Sequence, residues 1–118
     1  MDLNSSVEAL SALAQPTRLE VFRLLTRNEP NGLPAGEIAK LLDVPHNTMS
    51  THLTILSRTG LVTSERKGRS IVYRVDLSMV RSFFVYLLKD CCNGRAELCQ
   101  PLFDDLAPRC QPTGAAHV

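Results

Sequence analysis

The sequence predicts a mainly α chain with one β-hairpin, in the order α-α-α-α-β-β-α. Three observations predict it. Apolar residues recur at three- and four-residue spacing through the first sixty positions and again over residues 77–92. Two β-rich runs, LVTSER and SIVYRVD, flank Lys67-Gly68-Arg69. The 118 residues form one domain of ordinary size, able to bury a single core yet marginal on their own.

The elements follow in order. VEALSALA (7–14) sets Val7, Leu10 and Leu13 on one helical stripe, and Gln15-Pro16-Thr17 interrupts it. Pro16 suits the first turn of a second helix, TRLEVFRLLTR, with Leu19, Phe22 and Leu25 in phase. NEPNGLP (28–34) has the residues of a loop. AGEIAKLLD forms a short third helix whose buried side is expected to be Ile38, Leu41 and Leu42. Val44-Pro45 starts a fourth, PHNTMSTHLTILSRTG, closed by Gly60 as a C-cap. After the hairpin, LSMVRSFFVYLLKDCC is a final amphipathic helix, bulky at Val80, Phe83, Phe84, Leu87 and Leu88. Beyond it, order is expected to about Leu106, followed by a frayed tail. The expected division is therefore 1–92 for the main domain and 93–118 for a turn and flexible tail.

Net charge is only +1, but it is unevenly spread. Residues 45–75 hold Arg58, Arg66, Lys67, Arg69 and Arg74 against Glu65 alone, a local +4, while residues 1–44 and 90–118 each sum to −2. Such a basic segment is an electrostatic footprint for nucleic acid. MDLNSSVEALSALA lacks a basic n-region and a long apolar run, so no signal peptide is expected. No run of 18 apolar residues occurs, and a membrane span is not expected either. The expected compartment is the cytoplasm, where clustered thiols are ligands or redox groups more often than structural disulfides.

Two short helices joined at Asp43-Val44 and followed by a basic hairpin match a helix-turn-helix with a wing. The fourth helix is the candidate reader. Its outward positions, His46, Asn47, Thr48, Ser50, Thr51 and Thr54, with His52 counted among the DNA-facing residues, are short or hydrogen-bonding. Met49, Leu53 and Leu56 are expected to face inward. Short polar side chains let a helix sit deep in the major groove. Arg66, Lys67 and Arg69 at the wing tip suit phosphate or minor-groove contact. The plainer alternative is an ordinary solvated helix and turn.

On ALSALAQPTRLEVFRLL, GEIAKLLDVPHNTMSTHLTILSRTGLV and ERKGRSIVYRVD, the chain resembles the ArsR/SmtB family of bacterial winged-helix metalloregulators over about residues 7–92. The resemblance implies a homodimeric repressor that leaves its operator when a metal or metalloid binds, with the dimer formed through the first and last helices. The bulky face that includes Val80, Phe83, Phe84 and Leu87 fits such a seam, with Leu10 from the first helix. Many members open the reading helix with Ser-Gln, where this chain has Pro45-His46. The family's thiol motif on the third helix is absent from AGEIAKLLD, and the last helix lacks the carboxylate and histidine pairs of the zinc sensors. Some arsenic-responsive members instead carry a cysteine pair and a third cysteine after the last helix, and CCNGRAELC (91–99) looks like that type.

The spacing of Cys91, Cys92 and Cys99 bears on this directly. In a continuous helix, Cys92 and Cys99 would stand roughly 10 Å apart at 1.5 Å per residue, too far for one small ion. A left-handed cap at Asn93-Gly94 would reverse the chain and bring Cys99 back to the pair. Three thiolates without a fixed fourth ligand suit a soft centre such as As(III), with Sb(III) as its relative. Zinc would want a fourth ligand, for which only Cys110 or His117 in the tail is at hand. Inert cysteines, a redox switch, or a cadmium or lead site remain alternatives, as does a winged-helix binder with no inducer. An enzyme is not expected: no base stands by a nucleophile, no glycine-rich phosphate loop occurs, and no organic cofactor is implied.

Overall fold

The computed structural model describes residues 1–89 and 96–110. Asp2 opens α1 (Leu3–Leu13) by accepting a hydrogen bond from the Ser5 N–H at 2.8 Å. Gln15 does the same for α2 (Pro16–Arg27), accepting from the Arg18 N–H at 2.9 Å, and Pro16 occupies the first turn as expected. α3 (Ala35–Leu42) ends where Asp43 turns left-handed at φ 55°, and α4 (His46–Arg58) follows after Pro45. β2 (Val62–Lys67) and β3 (Ser70–Val75) pair antiparallel from Val62 opposite Val75 to Lys67 opposite Ser70. Their two-residue turn, Gly68-Arg69, has positive φ only at Gly68, the pattern of a type II′ hairpin. The Asp76 carboxylate accepts from the N–H groups of Ser78 and Met79 at 3.1 and 3.2 Å to start α5 (Leu77–Leu88).

The chain is mainly helical with a small antiparallel sheet, as the sequence predicts, but the sheet has a third strand. β1 (Leu33–Pro34) pairs with β3 through Leu33 opposite Tyr73 and Pro34 opposite Val72, giving the order β1-β3-β2. This segment was expected to be loop. A two-residue strand containing proline has no periodicity of its own, and its partner lies some forty residues away.

The chain divides into two compact units, 1–86 and 87–118; the expected boundary at 92/93 falls outside the described residues. The core of the first unit is built from Val21, Phe22, Leu24 and Leu25 of α2, Ile38 of α3, and Met49, Leu53 and Leu56 of α4. Leu61, Val62 and Val75 at the base of the hairpin join it, with Phe83 of α5. Helical phase differs from expectation at several points. α1 buries its small residues, Ser6, Ala9 and Ala12, while Val7 and Leu10 point outward. Small side chains let α1 lie close against its neighbours, so the bulky residues are left on the far side. Leu41 is exposed instead of buried, and Leu19, in phase with Phe22 and Leu25, is exposed too; Val21 and Ala39 take inward positions on their helices.

In the second unit, residues expected to be turn and frayed tail include a helix, α6 (Ala96–Cys110). It extends past the expected limit of order at Leu106 even though it contains Pro101 and Pro108.

Candidate nucleic-acid interface

α3, the Asp43-Val44-Pro45 turn and α4 form the helix-turn-helix. Asp43 N–H donates to the Lys40 carbonyl at 3.2 Å and Val44 N–H to that of Ala39 at 3.0 Å, so the end of α3 is satisfied before α4 begins. The two faces of α4 separate as its sequence predicts. Met49, Leu53 and Leu56 are wholly buried, whereas His46, Asn47, Thr48, Ser50, Thr51 and Thr54 are exposed. Thr54 donates its hydroxyl proton to the Ser50 carbonyl at 2.9 Å, and Thr51 donates to that of Asn47 at 3.4 Å. Both hydroxyls therefore turn acceptor lone pairs outward, while the Asn47 amide can both donate and accept. That mixture of hydrogen-bonding groups is what base edges in a major groove present in return.

Only the base of the wing is buried, so its tip stands in solvent with Arg66, Lys67 and Arg69 exposed. A groove of about 290 Å³ joins the two parts, lined by His46 and Ser50 of α4, Gly36 of α3, and Arg69 and Tyr73 of the hairpin. The structure thus brings the start of the reading helix and the wing cation to one face. The ion pair between Arg74 and Glu29, at 3.1 Å, ties β3 to the segment after α2, and Glu29 is largely buried. Its partners are 45 positions apart, and nothing local in the sequence links them.

His52 stands apart from the outward set. It is half-buried on the flank of α4, with Nδ1 3.2 Å from Nη1 of Arg18. The guanidinium can only donate, so Nδ1 is the acceptor in this contact, an arrangement that favours the neutral ring. Burial, reinforced by the Arg18 charge, pushes the His52 pKa below the ordinary histidine value. The same Arg18 donates from Nε to the Ala12 carbonyl at 2.6 Å, so one side chain of α2 holds both α1 and the reading helix. A histidine in the middle of a polar helix face carries no sequence signal for this role.

Of the expected dimer residues, Leu10 and Phe84 are each 46% exposed, Leu87 is also exposed, and Val80 is partly buried. Phe83 is corrected: at 3% exposure it belongs to the subunit's own core, and its neighbour Phe84 takes the outward position. Of the thiol trio only Cys99 falls among the described residues, buried in the first turn of α6. Cys91, Cys92 and the Asn93-Gly94 reversal lie outside them. Among the described residues no three potential ligands converge, and no helix is long and apolar enough to cross a membrane.

Comparison with known proteins places this geometry. Residues 13–65 match the profile of the family described as "Helix-turn-helix domain". The solved homodimeric winged helix-turn-helix DNA-binding domain of Mb0332 from Mycobacterium bovis, a possible ArsR-family transcriptional regulator, superposes with a TM-score of 0.61 at 27% identity, covering 74% of this chain and 80% of that one. The transcriptional repressor SmtB of Mycobacterium tuberculosis is 37% identical over 73 residues, 62% of this chain. That match spans about half, 52%, of the relative's length. The transcriptional activator HlyU of Vibrio cholerae is 30% identical over 96 residues, 80% of this chain and 86% of HlyU. Its structure superposes with a TM-score of 0.60 at 29% identity, covering 78% and 99%. The chain belongs to the ArsR/SmtB family of winged helix-turn-helix transcriptional regulators. These relatives are named for DNA binding or transcriptional control, in keeping with a regulator and not an enzyme. Within the family frame α4 is the reading helix and β2–β3 the wing.

Proposed function

We propose that the chain is an arsenic(III)-responsive repressor. It binds operator DNA as a homodimer in the cytoplasm and leaves it when Cys91, Cys92 and Cys99 bind As(III) or Sb(III). The observation that carries the sensing reading is the concentration of three cysteines within nine positions directly after α5, in a chain of four cysteines. Three thiolates with no adjacent histidine form a soft donor set suited to a trigonal centre. Cys91, Cys92 and Cys99 would hold As(III) through their thiolates, and the bound centre would supply up to three bonds to sulfur.

The DNA half of the proposal rests on the exposed face of α4 and the wing cations described above. Dimerisation is supported by exposed bulky residues on two helices, Leu3 and Leu10 of α1 with Phe84 and Val85 of α5. In such a dimer the two α4 helices enter successive major grooves, about 34 Å apart. Cys91 follows the last residue of α5 by three positions, so ordering of the thiols acts on a helix that carries part of the seam. A shift there alters the spacing of the reading helices, and linkage requires that inducer and DNA weaken each other by the same factor, typically about 5- to 150-fold.

A gel shift with arsenite compares the native chain with Cys92→Ser. Release of the native protein and retention of the variant supports the site; equal release of both refutes it. Release by cadmium, lead or an oxidant, with none by arsenite, would instead favour a divalent-metal or redox sensor. Sulfur–arsenic stoichiometry from X-ray absorption on the loaded dimer gives an independent count.

A further inference from the structure

A second recess shares no lining residue with the groove between the reading helix and the wing. It is a cleft of about 550 Å³ between α1 and α4, lined by Val7, Glu8, Ser11 and Ala12 of α1, Arg18 of α2, and Ile55 and Arg58 of α4, with Thr59. The volume falls within the range of small-molecule sites. Its chemistry is two-sided. Val7, Ala12 and Ile55 are apolar, and the lining holds two guanidinium groups and one carboxylate, a surplus of one positive charge.

Arg18 is fixed in place before any ligand arrives. Its Nε donates to the Ala12 carbonyl at 2.6 Å and Nη1 to His52 Nδ1 at 3.2 Å, which leaves three of its five N–H donors for other partners. Arg58, by contrast, is exposed at the end of α4. One pre-positioned guanidinium and one adaptable guanidinium beside apolar side chains recognise a carboxylate on a compact apolar body.

We propose that this cleft is an effector site for a small organic carboxylate, separate from the thiol site and linked to the reading helix through the Arg18–His52 hydrogen bond. A carboxylate on Arg18 changes the charge that His52 meets across 3.2 Å, and His52 shares α4 with Asn47, Ser50 and Thr51. The coupling therefore runs through one side chain that touches α1, the cleft and the reader. It requires no thiol, so it stands or falls independently of arsenic sensing.

The test titrates the full-length, isotope-labelled dimer with benzoate and follows backbone amides and the His52 ring by NMR. Saturable changes at Ala12, Arg18, Ile55 and the His52 ring, in the millimolar range or tighter, are expected. Arg58→Gln, an exposed substitution that leaves the core untouched, should weaken binding about tenfold, the scale of one charge-assisted contact. Benzyl alcohol, of similar shape without the charge, should bind far more weakly, and acetate, with the charge but little apolar body, should do likewise. Non-saturating changes, equal affinity in Arg58→Gln, or an equal response to benzyl alcohol or acetate would each overturn the assignment. So would silence of the His52 ring while the cleft amides respond, because the link to the reader would then be absent.

Discussion

Leu53 and Asn47 stand on opposite faces of α4, and replacing each with alanine separates fold from function on one helix. Leu53 is 0% exposed and packs in the core with Met49 and Leu56. Leu53→Ala removes three buried carbons, about 2.4 kcal/mol at about 0.8 kcal/mol each. The cavity left behind raises the loss to roughly 3–5 kcal/mol. For a domain with a total stability on the order of 5–15 kcal/mol, that is a large share. Asn47 is exposed, and Asn47→Ala should change stability by less than about 0.5 kcal/mol. If it reads a base edge, the same change costs about 1–3 kcal/mol of operator binding, roughly 5- to 150-fold in affinity. Urea unfolding at matched protein concentration measures the first quantity, since the stability of the proposed dimer would depend on concentration. Fluorescence anisotropy with operator DNA at fixed salt measures the second. Equal destabilisation by the two variants, or an Asn47→Ala variant that binds operator as well as the native protein, would refute the two-face assignment.

Neutralising the wing with Arg66→Gln, Lys67→Gln and Arg69→Gln should lower operator affinity and reduce the slope of log K against log salt by about 3, roughly one per lost phosphate contact; an unchanged slope would place the wing off the DNA. His52 has a folded-state pKa below its unfolded value near 6.5, so the unfolded chain binds more protons in the window between the two. Stability should therefore rise with pH through that window and fall on acidification, and His52→Gln should remove this part of the slope in urea titrations from about pH 5 to 7. Gly32 has φ +72°, and a β-carbon there would meet the Tyr73 carbonyl and the Arg74 side chain. Gly32→Ala should cost at least 1–3 kcal/mol in thermal unfolding, whereas Gly36→Ala, with open space around it and a helical backbone, should be neutral or stabilising.

Much of the fold could be read from the chain because its signals are local. Pro16, the αL turn at Asp43, Gly60 and the Gly68-Arg69 hairpin act within a few residues of themselves, and the sequence places them correctly apart from the conformation of Asp43. The two faces of α4 were equally legible, since Met49, Leu53 and Leu56 alternate with hydroxyls and amides at helical spacing. Phase was harder to assign where a helix carries apolar residues on more than one side. On α5 periodicity alone does not say which of two neighbouring phenylalanines is inward, so Phe83, expected at the dimer seam, lies in the core while Leu10 of α1 is exposed as a seam residue must be.

By itself, then, the sequence determined the order of helices and hairpin, the inner and outer faces of the reader, and the basic segment that the wing displays. These follow from backbone propensity, side-chain period and charge, which act over a few residues. Only the tertiary structure decided that Arg18 grips His52, that Glu29 meets Arg74, that Leu33-Pro34 joins the sheet, and that a charged cleft opens between α1 and α4. Each of these depends on groups distant in the chain meeting at hydrogen-bonding or van der Waals distance, and only the packing of the core fixes those distances.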